Sequence, residues 1–435
     1  MRRFDNIHLG LSHEEALRIL TLPLEQLESA SDYYMAASHL INFPGPETEA
    51  ALMQLLRNPS NEQSVNLARR KAVEVLARLD VSDAIGPIGD CLRSQDPFLV
   101  ENSAWALQQL QCKDHSLHAA MVELLSDPTQ NRRILIQSLS GLHVNSALPI
   151  ITPLQDDENP GVRGAALAAV AKISGDHSNV AELENHLTLP NQMDRQSAIQ
   201  DIIDCKATSL LESVLKAPVS PVFRMRALKK LWQSGEMHFE GLHLLQLLDR
   251  LMLDLPDDLI LVHRYDEPPN DEFLIQELFG TDFSRCYLAL LTLRDRSPEA
   301  LWPLLLNRWE QDGHNDYGAH YFFVRLFGAI QSWPQKARTW MICRLVEAVD
   351  NQRPQFMKSK HAALLSLAAL DPERCSDHLD RWQSPTHMKS WECRYAASMV
   401  INRLSGLEKL KVESGQYLKE ESHPFVKQRL LQALS

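Results

Sequence analysis

Glycine is scarce in this chain, at 16 of 435 residues, and aromatic residues make up 7%. Sheet-rich folds draw on both, for turns and for half-buried strand faces, so the shortage favours helices. Cationic excess is missing too. The formal net charge is −12, which argues against nonspecific binding to nucleic acid or to an anionic membrane and leaves solubility, or a basic partner surface, as its use. No run of 18 apolar residues occurs, so no membrane span is expected. The seven cysteines (Cys91, Cys112, Cys205, Cys286, Cys343, Cys375, Cys393) are odd in number and form no CxxC pair. Most fall inside apolar helical patterns, so buried thiols in a reducing cytosol are expected. The opening Met-Arg-Arg-Phe-Asp-Asn-Ile-His has no apolar stretch of the signal-peptide kind, and a cytoplasmic location follows as an expectation. GxGxxG, Walker A, GxSxG and HExxH motifs are all missing. No cofactor and no metal is therefore expected.

What the chain does have is a repeat. Six segments share one short pattern, spaced 29 to 32 residues apart and centred on Ala72, Ala104, Leu135, Ala166, Ala198 and Ala227. A fixed period of this length marks a stacked-repeat architecture, in which each unit packs only on its neighbours. Each repeat opens with a short apolar stretch, such as 51–56, 147–154 or 209–215. A turn follows, often with proline beside an acid or an asparagine: Asn58-Pro59, Asp96-Pro97, Asp127-Pro128, Asn159-Pro160. Proline is tolerated in the first turn of the next helix, where its missing donor costs little. A longer helix with apolar residues at i, i+3, i+4 and i+7 then completes the unit. Small residues at its centre let neighbouring helices approach closely. This is the HEAT type of helical hairpin, so the expected fold is an all-α, curved α/α solenoid with a concave binding surface.

The organisation is read in three parts. Residues 1–240 form the regular segment with an N-terminal cap, in which Ser-His-Glu-Glu-Ala-Leu (12–17) resembles a capped helix start. Residues 241–272 are an irregular, acidic, proline-containing insertion or boundary. Residues 273–435 form a divergent helical segment, with helical patterns at 284–294, 320–331, 338–349, 359–370, 391–404 and 423–434 and a long loop at 309–319. Tyr34 to Asn42 is echoed by Arg394 to Asn402. Two end caps or a chance similarity both account for that.

Candidate chemistry starts with the repeat itself. Three residues before most centres stands an arginine: Arg69, Arg132, Arg163, Arg195 and Arg224. The structural reading is a ladder of pairs with acids on neighbouring turns. The functional one is that some hold carboxylates or phosphates through the planar guanidinium fork. The second repeat departs from the rule with Glu101, Asn102 and Trp105. Positions 101 and 105 share a helix face, so a flat conjugated ligand could stack on Trp105 while Glu101 holds its N–H groups. The plain alternative is that Trp105 is core. The stretch His314-Asn315-Asp316-Tyr317-Gly318-Ala319-His320-Tyr321 concentrates groups able to move protons, against the reading of a polar helix start. The run His263-Arg264-Tyr265-Asp266 is a similar cluster.

Three stretches carry a resemblance: Tyr-Met-Ala-Ala-Ser-His-Leu-Ile-Asn-Phe-Pro (34–44), Arg-Arg-Lys-Ala-Val-Glu-Val-Leu-Ala-Arg-Leu (69–79) and Val-Glu-Asn-Ser-Ala-Trp-Ala-Leu (100–107). They resemble the E/F clan of HEAT-repeat phycobilin lyases of cyanobacteria and red algae, of the single-chain phycoerythrin type. The resemblance implies an enzyme that binds a free linear tetrapyrrole, usually phycoerythrobilin, as substrate. It implies delivery to a cysteine of an apo-phycobiliprotein, typically a phycoerythrin α subunit, through a thioether at the A-ring ethylidene group. Some members also isomerise the pigment to phycourobilin. On that footing Arg132, Arg163 or Arg264 would clamp the propionates, and Glu101 or Asp316 the pyrrole N–H groups. Asn102, Trp105, Tyr265, Tyr317 and Tyr321 would line the chromophore. Asp316, Tyr317, His314 and His320 are the candidate acid and base for isomerisation. Because the acceptor supplies the thiol, no reactive cysteine is needed here, and neither nucleic acid nor membrane is a partner. The alternative is a non-catalytic HEAT scaffold or chaperone for a phycobiliprotein subunit.

Overall fold

A computed structural model describes residues 10–232, 237–239, 242–401, 404 and 415–434. The chain divides into two compact units, Met1–Ala181 and Glu182–Ser435. The irregular stretch 241–272 belongs to the second. Both units are built of α-helices. Short 3-10 turns join many of them, and the strand structure among the described residues is a two-residue antiparallel ribbon, His238–Phe239 paired with Leu242–His243. No helix among the described residues is long and apolar enough to cross a membrane.

In unit 1 each repeat is a helical hairpin. The longer helices Gln63–Arg78, Pro97–Gln109, Arg132–Gly141 and Pro160–Ser174 pack side by side in sequence order. The repeat centres of both units are the tightest points: Ala72, Ala104, Ala166, Ala198, Ala227 and Leu135 are all buried. A buried leucine or valine contributes roughly 1.5–3 kcal/mol, and a methyl at the five alanine centres keeps the helices close enough for those neighbours to interlock. The first helix, His13–Thr21, is capped as expected, with Ser12 Oγ accepting from the Glu15 N–H at 3.1 Å. Proline takes the first helical position after Asp96 and Asn159, and both side chains cap their helix. After Asn58 and Asp127 it lies instead in the turn, several residues before helices that start at Gln63 and Arg132.

The glycine shortage has a structural counterpart. Four of the longer helices leave through left-handed residues that are not glycine, Asp80, Gln111, His143 and Lys206, while Pro160–Ser174 leaves through Gly175. Each of the four non-glycine exits is fastened by a bond back across the turn, Val81 to Leu76, Cys112 to Leu107, Val144 to Leu139 and Ala207 to Ile202, at 3.0–3.1 Å. These are Schellman-type closures, in which the hydrogen bonds offset a conformation that L-residues resist.

Unit 2 continues the hairpin pattern with Gln192–Asp204 and Pro221–Leu231, then becomes less regular. Its later helices run Phe283–Arg294, Tyr317–Ala329, Gln335–Asp350, Met357–Leu370, Trp391–Val400 and Pro424–Leu434, close to the sequence expectation. The stretch 253–272 is not loose. The Ile260 N–H bonds Lys216 O at 2.9 Å and the Val262 N–H bonds Ser284 Oγ at 3.0 Å. The loop expected at 309–319 is mostly absent: Trp309–Gly313 prolongs the preceding helix as a π turn, and a new helix starts at Tyr317. Six cysteines are buried, but Cys343 is exposed. In the two echoed segments Ala36-Ala37 and Ala396-Ala397 are fully buried, while Asn402 lies outside the described residues.

Candidate functional site

Four helices of unit 2, Pro221–Leu231, Leu244–Leu253, Met357–Leu370 and Trp391–Val400, frame a cavity of about 420 Å³. Its walls are apolar, from Val222, Met225, Leu251, Met252 and Met357. Methionine gives such walls an adaptable, polarisable surface. Its polar lining is Arg226, Lys229, Lys230 and Lys358, with a single carboxylate, Glu392, and one imidazole, His361. Arg226, Lys229 and Lys230 come from one helix, because spacings of three and four residues bring side chains to one side. Four cations against one carboxylate, in a chain of net charge −12, make this cavity an anomaly of sign.

Behind the cavity sits a buried polar network centred on Asp254. This residue ends the helix Leu244–Leu253 in a left-handed conformation, with φ at +44°. One carboxylate oxygen accepts from Arg224 Nη2 at 2.5 Å. The other accepts from the Tyr287 hydroxyl at 2.6 Å and from the Tyr321 hydroxyl. Arg325 Nη2 donates to the Asp254 carbonyl at 2.6 Å. Burial alone would raise the Asp254 pKa, but Arg224 and Arg325 hold it below the ordinary carboxylate range. Burial pushes Tyr287 and Tyr321 well up, so both stay protonated and donate. A carboxylate with this many donors is fixed as an anion.

Lys358 joins the network to the cavity. Its Nζ lies 5.0 Å from the ring centre of Phe283, 5.4 Å from Tyr321 and 5.8 Å from Tyr317. Among the described residues no carboxylate lies within ion-pairing reach of it. Burial draws its pKa down, while the more distant Asp316 and Asp254 pull the other way. One turn on, His361 is almost fully buried, its Nδ1 has no partner, and burial lowers its pKa to about 4. It is a neutral imidazole at pH 7.

The chain is 43% identical over 382 residues to the bilin biosynthesis protein CpeY of a Synechococcus strain, covering 88% of this chain and 91% of that protein. The chain belongs to the E/F-type HEAT-repeat phycobilin lyases. It is also 32% identical over 417 residues to the uncharacterised phycocyanin operon protein Y of Pseudanabaena tenuis, covering 95% of this chain and 97% of that one. A phycocyanobilin lyase subunit alpha of Picosynechococcus aligns at 23% identity over 252 residues, covering 53% of this chain and 93% of that subunit. The solved complex of CpcE and CpcF, the phycocyanin lyase of Nostoc, matches with a TM-score of 0.49 at 21% identity, over 58% of this chain and 99% of that one. No family model matches the sequence.

Within this lyase the residues expected from sequence fall into separate groups. Tyr317 and Tyr321 stand beside Lys358, Tyr321 fully buried and Tyr317 exposed. Asp316 caps the helix that carries them, accepting from the Gly318 and Ala319 N–H groups at 2.8 Å. His314 and His320 line a second cavity of about 400 Å³ with Trp309, Trp340 and Arg344. His320 is buried between Trp309 and Phe356, and burial lowers its pKa to about 4. Arg264 is exposed. Tyr265 packs edge-on to Phe273, with a buried hydroxyl that has no partner.

The unit 1 candidates form a row of their own. Glu101 accepts from Asn131 Nδ2 at 2.6 Å, and Asn131 caps the next long helix. Asn102 reaches the Arg70 carbonyl at 3.5 Å. Trp105 is half-buried against the unit 1 core. Arg132 pairs with Asp157 at 2.9 Å, and Arg163 donates to the Asp157 carbonyl at 2.7 Å. The arginine ladder is present at Arg132, Arg195 and Arg224, with Asp157, Asp282 and Asp254 as its acids, whereas Arg69 reaches the Cys91 sulfur at 4.0 Å instead. Sequence reasoning missed Arg226, Lys229, Lys230, Lys358, His361 and Glu392. The available signals were the extra cations of Arg-Met-Arg-Ala-Leu-Lys-Lys (224–230) and the polar run Lys-Ser-Lys-His (358–361) at the head of an apolar helix.

Proposed function

We propose that this protein is a bilin lyase that loads phycoerythrobilin onto a cysteine of a phycoerythrin α subunit, and that the unit 2 cavity holds the pigment. The observation that carries this reading is the cavity's sign and lining: apolar walls ringed by four cations in an acidic chain. A linear tetrapyrrole is a flat apolar body with two carboxylates, and a cavity of about 420 Å³ is within the usual range for ligands of that scale. Relatives named for bilin biosynthesis and for a phycocyanobilin lyase support the substrate class. Arg226, Lys229 and Lys230 would meet propionates, and Glu392 the pyrrole N–H groups. In the transfer the acceptor's S–H adds across the A-ring ethylidene double bond, sulfur to the exocyclic carbon and hydrogen to the ring carbon. The lyase needs no cysteine of its own for that step.

As an alternative seat for the pigment, within unit 1 alone, the candidates are Glu101, Asn102 and Trp105. For Arg132 or Arg163 to take a propionate, Asp157 must exchange places with it, one carboxylate for another. Isomerisation to phycourobilin would fall to Tyr317, whose ring centre lies 5.8 Å from the cavity cation Lys358. The test is co-expression with phycoerythrobilin-making enzymes and the apo-α subunit, followed by absorbance of the denatured acceptor. Covalent phycoerythrobilin establishes attachment, and a blue-shifted phycourobilin spectrum adds isomerisation. A colourless acceptor with its cysteine intact overturns the lyase reading in favour of a chaperone.

A further inference from the structure

We propose that Lys358 is the residue by which the unit 2 cavity selects a free carboxylate over its uncharged counterpart, receiving one propionate of the bilin at the inner end of the pocket. The inference rests on the cavity reading above and adds a residue and a selectivity to it. Of the other three cations, Arg226, Lys229 and Lys230, all on one exposed helix face, Lys229 also lies over a ring, that of Trp391 at 4.1 Å, whereas Lys358 meets three. Lys358 is different. Its half-buried ammonium stands against the rings of Phe283, Tyr317 and Tyr321, at 5.0 to 5.8 Å from their centres. Ring faces stabilise a cation but leave its hydrogen-bond donors unused. No carboxylate of the described residues pairs with it. The nearest anion of the network, Asp254, is committed to Arg224, Tyr287 and Tyr321. Tyr321 therefore has one role on each side, its hydroxyl on Asp254 and its ring against Lys358. A half-buried cation that lines an apolar cavity, held against rings and without a carboxylate of its own, is completed by an anion that the ligand brings. An ester or amide at that position would bring no charge.

The experiment uses the full-length chain, phycoerythrobilin as the free diacid and phycoerythrobilin dimethyl ester, with binding read from the absorbance of bound pigment. The wild-type protein is expected to bind the diacid at least about tenfold more tightly than the ester, the scale of one charge-assisted bond. Lys358→Met should weaken the diacid about tenfold and leave the ester unchanged, any preference that remains belonging to the propionate at Arg226, Lys229 and Lys230, and Lys358→Arg should keep most of the wild-type preference. A wild type that binds diacid and ester equally overturns the proposal, and needs no variant to be folded. So does a Lys358→Met protein of unchanged helicity that weakens both pigments alike, or neither. A wild type that binds neither pigment overturns the cavity reading as well, which separates the two failures.

Discussion

Both units place arginines three residues before a repeat centre, yet Arg132 of unit 1 and Arg224 of unit 2 live in different surroundings. In unit 1 Arg132 and Asp157 stay partly open to water, with 25% and 13% of their side-chain surface exposed. In unit 2 Arg224 and Asp254 are sealed, at 2% and 0%, and two tyrosines close over the pair. The aromatic content follows the same divide. Among the described residues Tyr33 is the buried aromatic of unit 1, whereas unit 2 buries Tyr287, Trp309, Tyr321, Phe322, Phe323 and Phe327 among others. One repeat position thus serves two ends. With aliphatic neighbours it ties one hairpin to the next. With aromatic neighbours that leave gaps and supply hydroxyls, it becomes the back wall of a cavity.

The largest expected effect breaks the second of these arrangements. Asp254→Asn leaves Arg224 and Arg325 buried without their anion, and unpairing a buried ion costs about 3–5 kcal/mol. Chemical denaturation should show unit 2 unfolding at much lower denaturant, with the transition of unit 1 unmoved. Equal shifts in both would mean that the units do not unfold separately.

Acidification should pick out the same unit. His320, His361 and His423 are each held near pKa 4 by burial, against an ordinary value of 6.5. Between those values the unfolded chain takes up protons that the folded one refuses. Their contribution is therefore complete above about pH 6.5 and is lost as pH falls toward 4. The Asp254 carboxylate, held below its usual 3.8, gives way only at lower pH still. Urea midpoints of unit 2 measured from pH 7 to pH 4 should fall, and His361→Asn should flatten the slope. A midpoint independent of pH over that range would contradict the burial of these imidazoles.

Gly328 gives a purely steric version of the comparison. A Cβ at this position would lie 2.5 Å from the Ser366 Cα, so the helices Tyr317–Ala329 and Met357–Leu370 touch there through backbone. Those helices carry Tyr321 and Lys358. Gly328→Ala should cost about 1–3 kcal/mol by overpacking and loosen the cage around Lys358. A thermal melt and a bilin titration read the two effects. Unchanged values in both would show that the contact has room to relax.

These expectations also show what could be read from sequence. The hairpins were legible because one short pattern recurs six times at a period near 31 residues, with alanine at five of the centres and Leu135 at the other, and all six centres are buried. The cap at Ser12 was legible for the same reason. The cavity was not, because its lining comes from 221–230, 251–252, 357–361 and 392, segments that only the fold brings together. Asp254 was hidden more completely. It lies where the period breaks, and nothing local says that an acid after a leucine-rich helix turns inward rather than out. The cluster 314–321 was legible as a concentration of titratable groups. Helical geometry then divided it, with His314 and His320 on one cavity and Tyr317 beside Lys358 near the other.

A smaller effect concerns binding in unit 1. Trp105→Ala and Glu101→Ala should each reduce bound pigment by about tenfold, the scale of one aromatic or charge-assisted contact, with helicity intact. Unchanged binding in both variants would leave the pigment to unit 2 alone.

The smallest expected effect is the counterpart of the first. Asp157→Asn removes the partner of Arg132 but leaves the Asp157 carbonyl that Arg163 uses. Both members of the pair already touch water, so each can be rehydrated once separated. Exposed and half-exposed pairs are worth about 1 kcal/mol or less, several times below the figure for Asp254. High salt should mask the Asp157 variant further by screening the pair it removes, while the Asp254 variant should stay equally damaged. If denaturation shows the two substitutions costing the same, burial is not what separates the two units, and the contrast between their arginines loses its physical basis.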